Sequence, residues 1–205
     1  MTQAEKAPDS SLIVPLMKRA EAEGYGDPPP WPVPESDIPV LEALTGVLLV
    51  AYVFDLPDRF EYVTPRACER LGLAAEDLRA LAVRNLARRR AKPQIMQGNE
   101  ALAFRLDGNL ESSLLLVEHL WEQIGPQMPG DLIAAVPSRD TLAVTGSAVD
   151  GGIAVLTRSV DRVWRSSETR LLLTKSLFVR RGDSWEQLNP VTGLTTWLRC
   201  LGRCH

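Results

Sequence analysis

Residues 47–54 read VLLVAYVF, eight apolar positions without a break. A helix that crosses a bilayer needs ~20 such residues, so this run is far too short to span one. Its β-branched and aromatic content, followed by the turn residues LPDR, marks a strand covered on both faces. Such a strand cannot fold alone, and the rest of the chain must supply layers on either side of it. The chain has 205 residues, enough for one domain with a real core and no need of disulfides or metals. With 45% hydrophobic residues, 24% charged residues and a net charge of −3, it is neither a disordered tail nor a collagen-like fibre. The same balance excludes a surface given over wholly to nucleic acid. The N-terminus, MTQAEKAPDSSLIVPLMKR, has one early cation and a short apolar patch, so no signal peptide is expected. Three cysteines, an odd number, suit a reducing cytosol. The expectation is a cytoplasmic protein with no membrane segment.

From Val47 onward one pattern recurs: two short strands, a tight turn between them, then a helix. FEYV completes the first pair, and Thr64-Pro65 opens helical stretches near 65–72 and 75–90, separated by Gly72. PQIMQGNEALAFRLDG gives the second pair, with a helix expected over Leu110–Ile124 that stops at Gly125-Pro126. DLIAAV and TLAVTG flank PSRD in the third, followed by a helix from about Val149 to Arg165. SLFVRR and SWEQLN close the series around Gly182-Asp183. Hairpins make antiparallel neighbours, so the fold class is α+β: a twisted, largely antiparallel sheet of ββα units with helices packed on it. A short helix is expected over 11–23, then a stiff proline-rich connector between Pro28 and Pro39. The domain reading is therefore an N-terminal segment 1–40, one α+β domain 41–190, and a tail 191–205.

Helical spacing places Asn85 in the middle of the buried face made by Leu78, Leu81, Ala82 and Leu86. A buried amide must be hydrogen-bonded, either to a strand end or to a ligand. His119 falls on the solvated side of its helix with Glu111, Glu118 and Glu122. Ser147 and Asp150 have the spacing of a capping box, and Gly146, Gly151 and Gly152 beside them leave amides open to an anion. Asp107-Gly108-Asn109-Leu110-Glu111 joins a strand to a helix, with Asn109 as the expected cap. Asp107 and Glu111 are candidates for an acid/base pair. Pro137-Ser138-Arg139-Asp140 suits a type I turn with proline at its second position. Arg84, Arg88, Arg89, Arg90 and Lys92 fan around a helix end with no aromatic platform between them. CLGRCH at the end offers Cys200, Cys204 and His205 but no second ligand pair at zinc spacing. No metal and no cofactor is expected.

IVPLM (13–17), VAYVFD (50–55), LAVRNLARR (81–89), LDGNLESSLLL (106–116) with Trp121, and GDLIAAVPSRD (130–140) occur in the order found in the YtpQ-like bacterial proteins. The chain resembles that family, which is classed as a domain of unknown function, over most of residues 12–146. The resemblance implies a cytosolic bacterial protein and supplies no activity or catalytic residues. It directs attention to Asp55, Asn85, Asp107, Asn109, Glu111, Ser138, Arg139 and Asp140. The proline-rich stretch and the cysteine-bearing tail look unlike the family. The leading functional expectation is a non-enzymatic binding or protein-interaction module, with a protein or small ligand as partner. Its site would draw on Asn85, Asp107, Asn109, Glu111, Arg139 and Asp140. The alternative is a hydrolase- or transferase-type enzyme using Asp107, Glu111, Arg139 and Asp140. Nucleic-acid binding through 84–92 ranks third. The enzyme reading requires the PSRD turn and the DGN junction to lie at the same end of the sheet.

Overall fold

A computed structural model describes residues 9–20, 33–89 and 93–188. The class is α+β, and among the described residues ten strands divide between two antiparallel sheets. The first contains β1 (Ile13–Arg19), β2 (Leu41–Thr45), β3 (Leu48–Asp55) and β4 (Phe60–Tyr62), ordered β1-β3-β2 with β4 also on β3. The second contains β5 (Gln94–Gln97), β6 (Leu102–Arg105), β7 (Leu132–Ser138), β8 (Thr141–Gly146), β9 (Leu177–Arg181) and β10 (Ser184–Gln187). Its order is β10-β9-β7-β8-β6-β5. The helices are α1 (Pro65–Leu71), α2 (Leu78–Arg89), α3 (Glu118–Ile124) and α4 (Gly152–Ser166). As its composition demands, β3 is buried along most of its length. Thr64 caps α1 by accepting from the Ala67 N–H, and Gly72 ends it with φ 63°.

One apolar core lies between the two sheets, and period-two alternation in the second sheet separates it from a smaller one. Ala134, Val136, Leu142, Val144 and Phe178 join β1, β3, α2 and α3 in the main core. Their neighbours Ile133, Ala135, Ala143 and Val179 face the other way and pack with Leu156 and Val160 of α4. Trp121 sits edge-on to both Phe104 and Trp185, with ring centroids 5.6 and 5.2 Å away.

Several local expectations are corrected. The helix expected over 11–23 is a 3-10 turn, Ser10–Leu12, followed by β1. Ile13 to Met17 are all buried, and β1 pairs with β3 from Ile13↔Phe54 to Arg19↔Leu48. Burial on both faces outweighs the helical reading, and Pro15 is tolerated because β1 is an edge strand. The N-terminal segment thus supplies a strand to the first sheet, and β2 joins it on the far side of β3.

The helix expected from Leu110 is instead a 3-10 turn, Ser112–Leu116, broken from α3 at Val117. The carbonyls that would continue a helix are taken by indoles. Trp121 Nε1 donates to Leu114 O and Leu115 O, both at 3.1 Å, and Trp185 Nε1 donates to Leu115 O at 3.0 Å. The capping box is absent: Ser147 Oγ accepts from the Asp131 N–H, and Gly151 precedes α4 with φ 72° and no side-chain cap. Gly152 serves close packing, since a Cβ there would lie 2.2 Å from Thr145 Oγ1. The PSRD turn is tighter than expected. Ser138 pairs with Thr141, so only Arg139 and Asp140 turn, and Pro137 lies in β7 where the register shifts between Ala135 and Ser138.

Candidate functional site

Antiparallel pairing of Phe104 with Leu142 sets the end of β6 beside the start of β8. The DGN junction leaves β6, and the Arg139-Asp140 turn enters β8, so the two motifs meet at one end of the second sheet. The contact is direct: the Ser112 N–H donates to Arg139 O at 3.0 Å.

Each side of this seam is organised by a carboxylate. Glu111 is 1% exposed, and its Oε1 accepts from the Leu106 N–H (2.9 Å) and the Gly108 N–H (2.7 Å). Gly108 aims its amide there at φ 84°, a conformation that only glycine adopts freely. Asp107 Oδ1 accepts from the Asn109 and Leu110 N–H groups, both at 3.0 Å. Asp107 therefore does the capping expected of Asn109, whose own amide is one of those capped. Across the seam, Ser138 Oγ donates to Asp140 Oδ1 (2.5 Å), and Thr141 Oγ1 donates to the same oxygen (3.2 Å). The Arg139 N–H donates to Leu171 O at 2.9 Å. Burial pulls the Arg139 guanidinium below its ordinary value; Tyr62 and Asp140 oppose that shift, and Arg170 adds to it.

The seam also concentrates unmet hydrogen-bonding capacity. Glu111 Oε2, Ser112 Oγ, Ser113 Oγ and Arg139 Nε are all buried without a partner. Among the described residues, only Arg180 Nη1 shares that condition elsewhere. An unpaired buried polar atom costs ~1–3 kcal/mol, and native structures hold few of them. Three of these atoms are carboxylate or hydroxyl oxygens and one is a guanidinium nitrogen, so the seam holds both acceptors and donors.

Asn85 does not join this cluster through any bond of its own amide nitrogen. It is 6% exposed on α2, and Nδ2 donates to Ser10 O (2.9 Å) and Ile13 O (3.0 Å), tying the helix to the start of β1. Asp55 lies at the end of β3 opposite Phe60. His119 is exposed as expected, but Glu111, placed on the same solvated side, is buried, because the residues before Val117 are not part of that helix. Of the basic stretch, Arg84 and Arg88 are exposed on α2, while Arg90 and Lys92 fall outside the described residues. Residues 28–32 of the proline-rich stretch and Cys200, Cys204 and His205 also fall outside them. Among the described residues, no three His, Cys, Asp or Glu side chains are grouped to hold a metal ion. No helix among them is long and apolar enough to cross a membrane.

Sequence reasoning missed a cleft of about 370 Å³ between β2 and the β9–β10 hairpin, lined by Arg79, Glu118, Asp183, Ser184 and Trp185 among others. Arg79 pairs with Glu42, whose Oε2 accepts the Tyr52 O–H at 2.5 Å. Arg180 pairs with Glu118 and lies 5.8 Å over the Trp185 ring. These groups come from five separate stretches of chain, and no local motif announces their meeting.

Two curated bacterial proteins are similar to this chain. A UPF0354 protein of Listeria innocua is 27% identical over 114 residues, covering 55% of this chain and 43% of its own length. A UPF0354 protein of Listeria monocytogenes is 26% identical, also over 114 residues and with the same coverage. The chain thus matches less than half the length of either relative, and both names state no activity. No protein-family model and no solved structure matches the chain.

Proposed function

We propose that this chain is a binding module of a bacterial cell's cytosol, and that it recognises a partner through the seam between residues 106–113 and 138–141. The observation that carries this reading is the clustering there of four buried polar atoms without partners. Isolated orphans are accidents of packing, whereas a cluster is what a site looks like before its ligand supplies the missing bonds. The carboxylates at the seam are used first by the fold. Glu111 Oε1 and Asp107 Oδ1 each accept from two backbone amides, which hold them as structural anchors. The partner's matching feature is a polar group able to accept from Arg139 and to bond the serine hydroxyls.

The test uses the full chain immobilised against lysate of the organism that makes it, beside the triple variant Asn109→Ala, Arg139→Ala, Asp140→Ala. The expected result is loss of the species that wild type retains, in a chain that still folds with a melting temperature lowered by the two bonds Asp140 accepts. Equal recovery by both chains overturns the proposal.

A further inference from the structure

The cleft between β2 and the β9–β10 hairpin shares no residue with the seam, and its polar groups divide by hydrogen-bonding sense. One side donates. Arg79 of α2 gives Nη1 to Glu42 Oε1, while Glu42 Oε2 accepts the Tyr52 O–H at 2.5 Å, so both oxygens of Glu42 are committed. A guanidinium holds five N–H donors in a planar fork. Glu42 is the partner of Arg79 among the described residues, so donors remain for a ligand. The hairpin side accepts. Asp183 is exposed at the turn, with no cation paired to it among the described residues. Ser184 Oγ donates its proton to Arg181 O at 3.0 Å, which leaves only lone pairs for anything in the cleft. Beside them Glu118 is ion-paired to Arg180, whose Nη1 is buried without a partner. Leu44, Leu116 and Trp185 add apolar surface to the lining.

We propose that this cleft binds a free α-amino acid with an uncharged, apolar side chain. Its carboxylate takes the fork of Arg79, a planar match that a guanidinium makes with two parallel bonds. Its ammonium, a donor only, takes the Asp183 carboxylate and the Ser184 oxygen. Its side chain meets Leu44, Leu116 and Trp185. The charges in the cleft support a ligand of both signs. The Arg79–Glu42 and Arg180–Glu118 pairs each cancel, which leaves Asp183 as one uncompensated negative charge. A purely anionic ligand would be repelled by that charge, and a purely cationic one would leave the Arg79 donors unused. A zwitterion answers both. Size points the same way, since about 370 Å³ lies near the lower end of the ~300–1,000 Å³ of small-molecule sites.

NMR titration of the full chain with L-leucine, L-phenylalanine and L-methionine, read at the Trp185 indole N–H, tests this. The expected result is a saturable shift of that signal by at least one of them between micromolar and millimolar concentration. The amide of that amino acid lacks the carboxylate, and its N-acetyl form lacks the ammonium; each should bind about tenfold more weakly or worse. Arg79→Gln should raise the dissociation constant about tenfold, and Asp183→Asn about threefold. The Arg79 side chain is 42% exposed and Asp183 is exposed, so both variants fold, which urea midpoints close to wild type verify. No saturable shift with any of the three amino acids overturns the proposal. Equal binding of the amide or the N-acetyl form overturns it, as does binding that neither variant weakens.

Discussion

Asn85 and Glu111 are both polar, both buried and both bonded to two backbone groups, yet they sit in different surroundings. Around Asn85 the amide nitrogen spends its two hydrogens on Ser10 O and Ile13 O, and the join of α2 to β1 leaves no orphaned polar atom. Around Glu111 one oxygen is doubly used, while its other oxygen and three neighbouring polar atoms have no partner. Burial of a polar residue alone therefore says nothing about function; the discriminating quantity is what remains unpaired after the fold has taken its share.

Substitutions sharpen that contrast, starting with the largest effect. Glu111→Ala removes two bonds to one buried carboxyl oxygen and strands the Leu106 and Gly108 amides, an expected loss of about 3 kcal/mol in urea unfolding. Asn85→Ala strands two carbonyls and should cost ~1–3 kcal/mol, with no change in partner recovery. A recovery lost at Asn85 and kept at Glu111 would reverse the assignment.

Tyr52→Phe tests a third polar contact, buried Tyr52 with half-buried Glu42, and should cost ~1 kcal/mol at neutral pH. Burial, followed by Glu42, pushes the Tyr52 phenol well above its ordinary 10.0, and burial also raises the Cys68 thiol above 9.0. In each case the unfolded chain loses its proton first. Stability is thus flat at neutral pH and falls as pH rises above 9.0 and then 10.0, and Tyr52→Phe flattens the upper part of that fall. Urea midpoints across that range measure it. Ser113→Ala should have the smallest effect, neutral or stabilising by up to ~1 kcal/mol, because the hydroxyl it removes has no partner to lose.

How much of this the sequence discloses depends on how local the cause is. The hairpins β3–β4, β5–β6, β7–β8 and β9–β10 are legible because alternation and turn residues lie within a few positions of each other. Strand β1 is not, because five apolar residues fit a helix or a strand equally until β3, more than thirty positions away, takes them. The break at Val117 depends on Trp121 and Trp185 claiming carbonyls, and Trp185 lies 70 residues from Leu115. At the seam the residue types are legible and their roles are not. Asp107 took the cap assigned to Asn109, and the double acceptance by Glu111 depends on the backbone of Gly108. The meeting of the two motifs follows from the β6–β8 pairing, which no residue at either motif encodes by itself.

The most direct measurement is a paired one on Arg139→Met, which keeps the aliphatic stem and deletes the guanidinium: melting temperature beside partner recovery. A melting temperature at or above that of wild type, with the partner gone, is the predicted result. A fall of several degrees with the partner still retained would make Arg139 a structural strut and contradict the account.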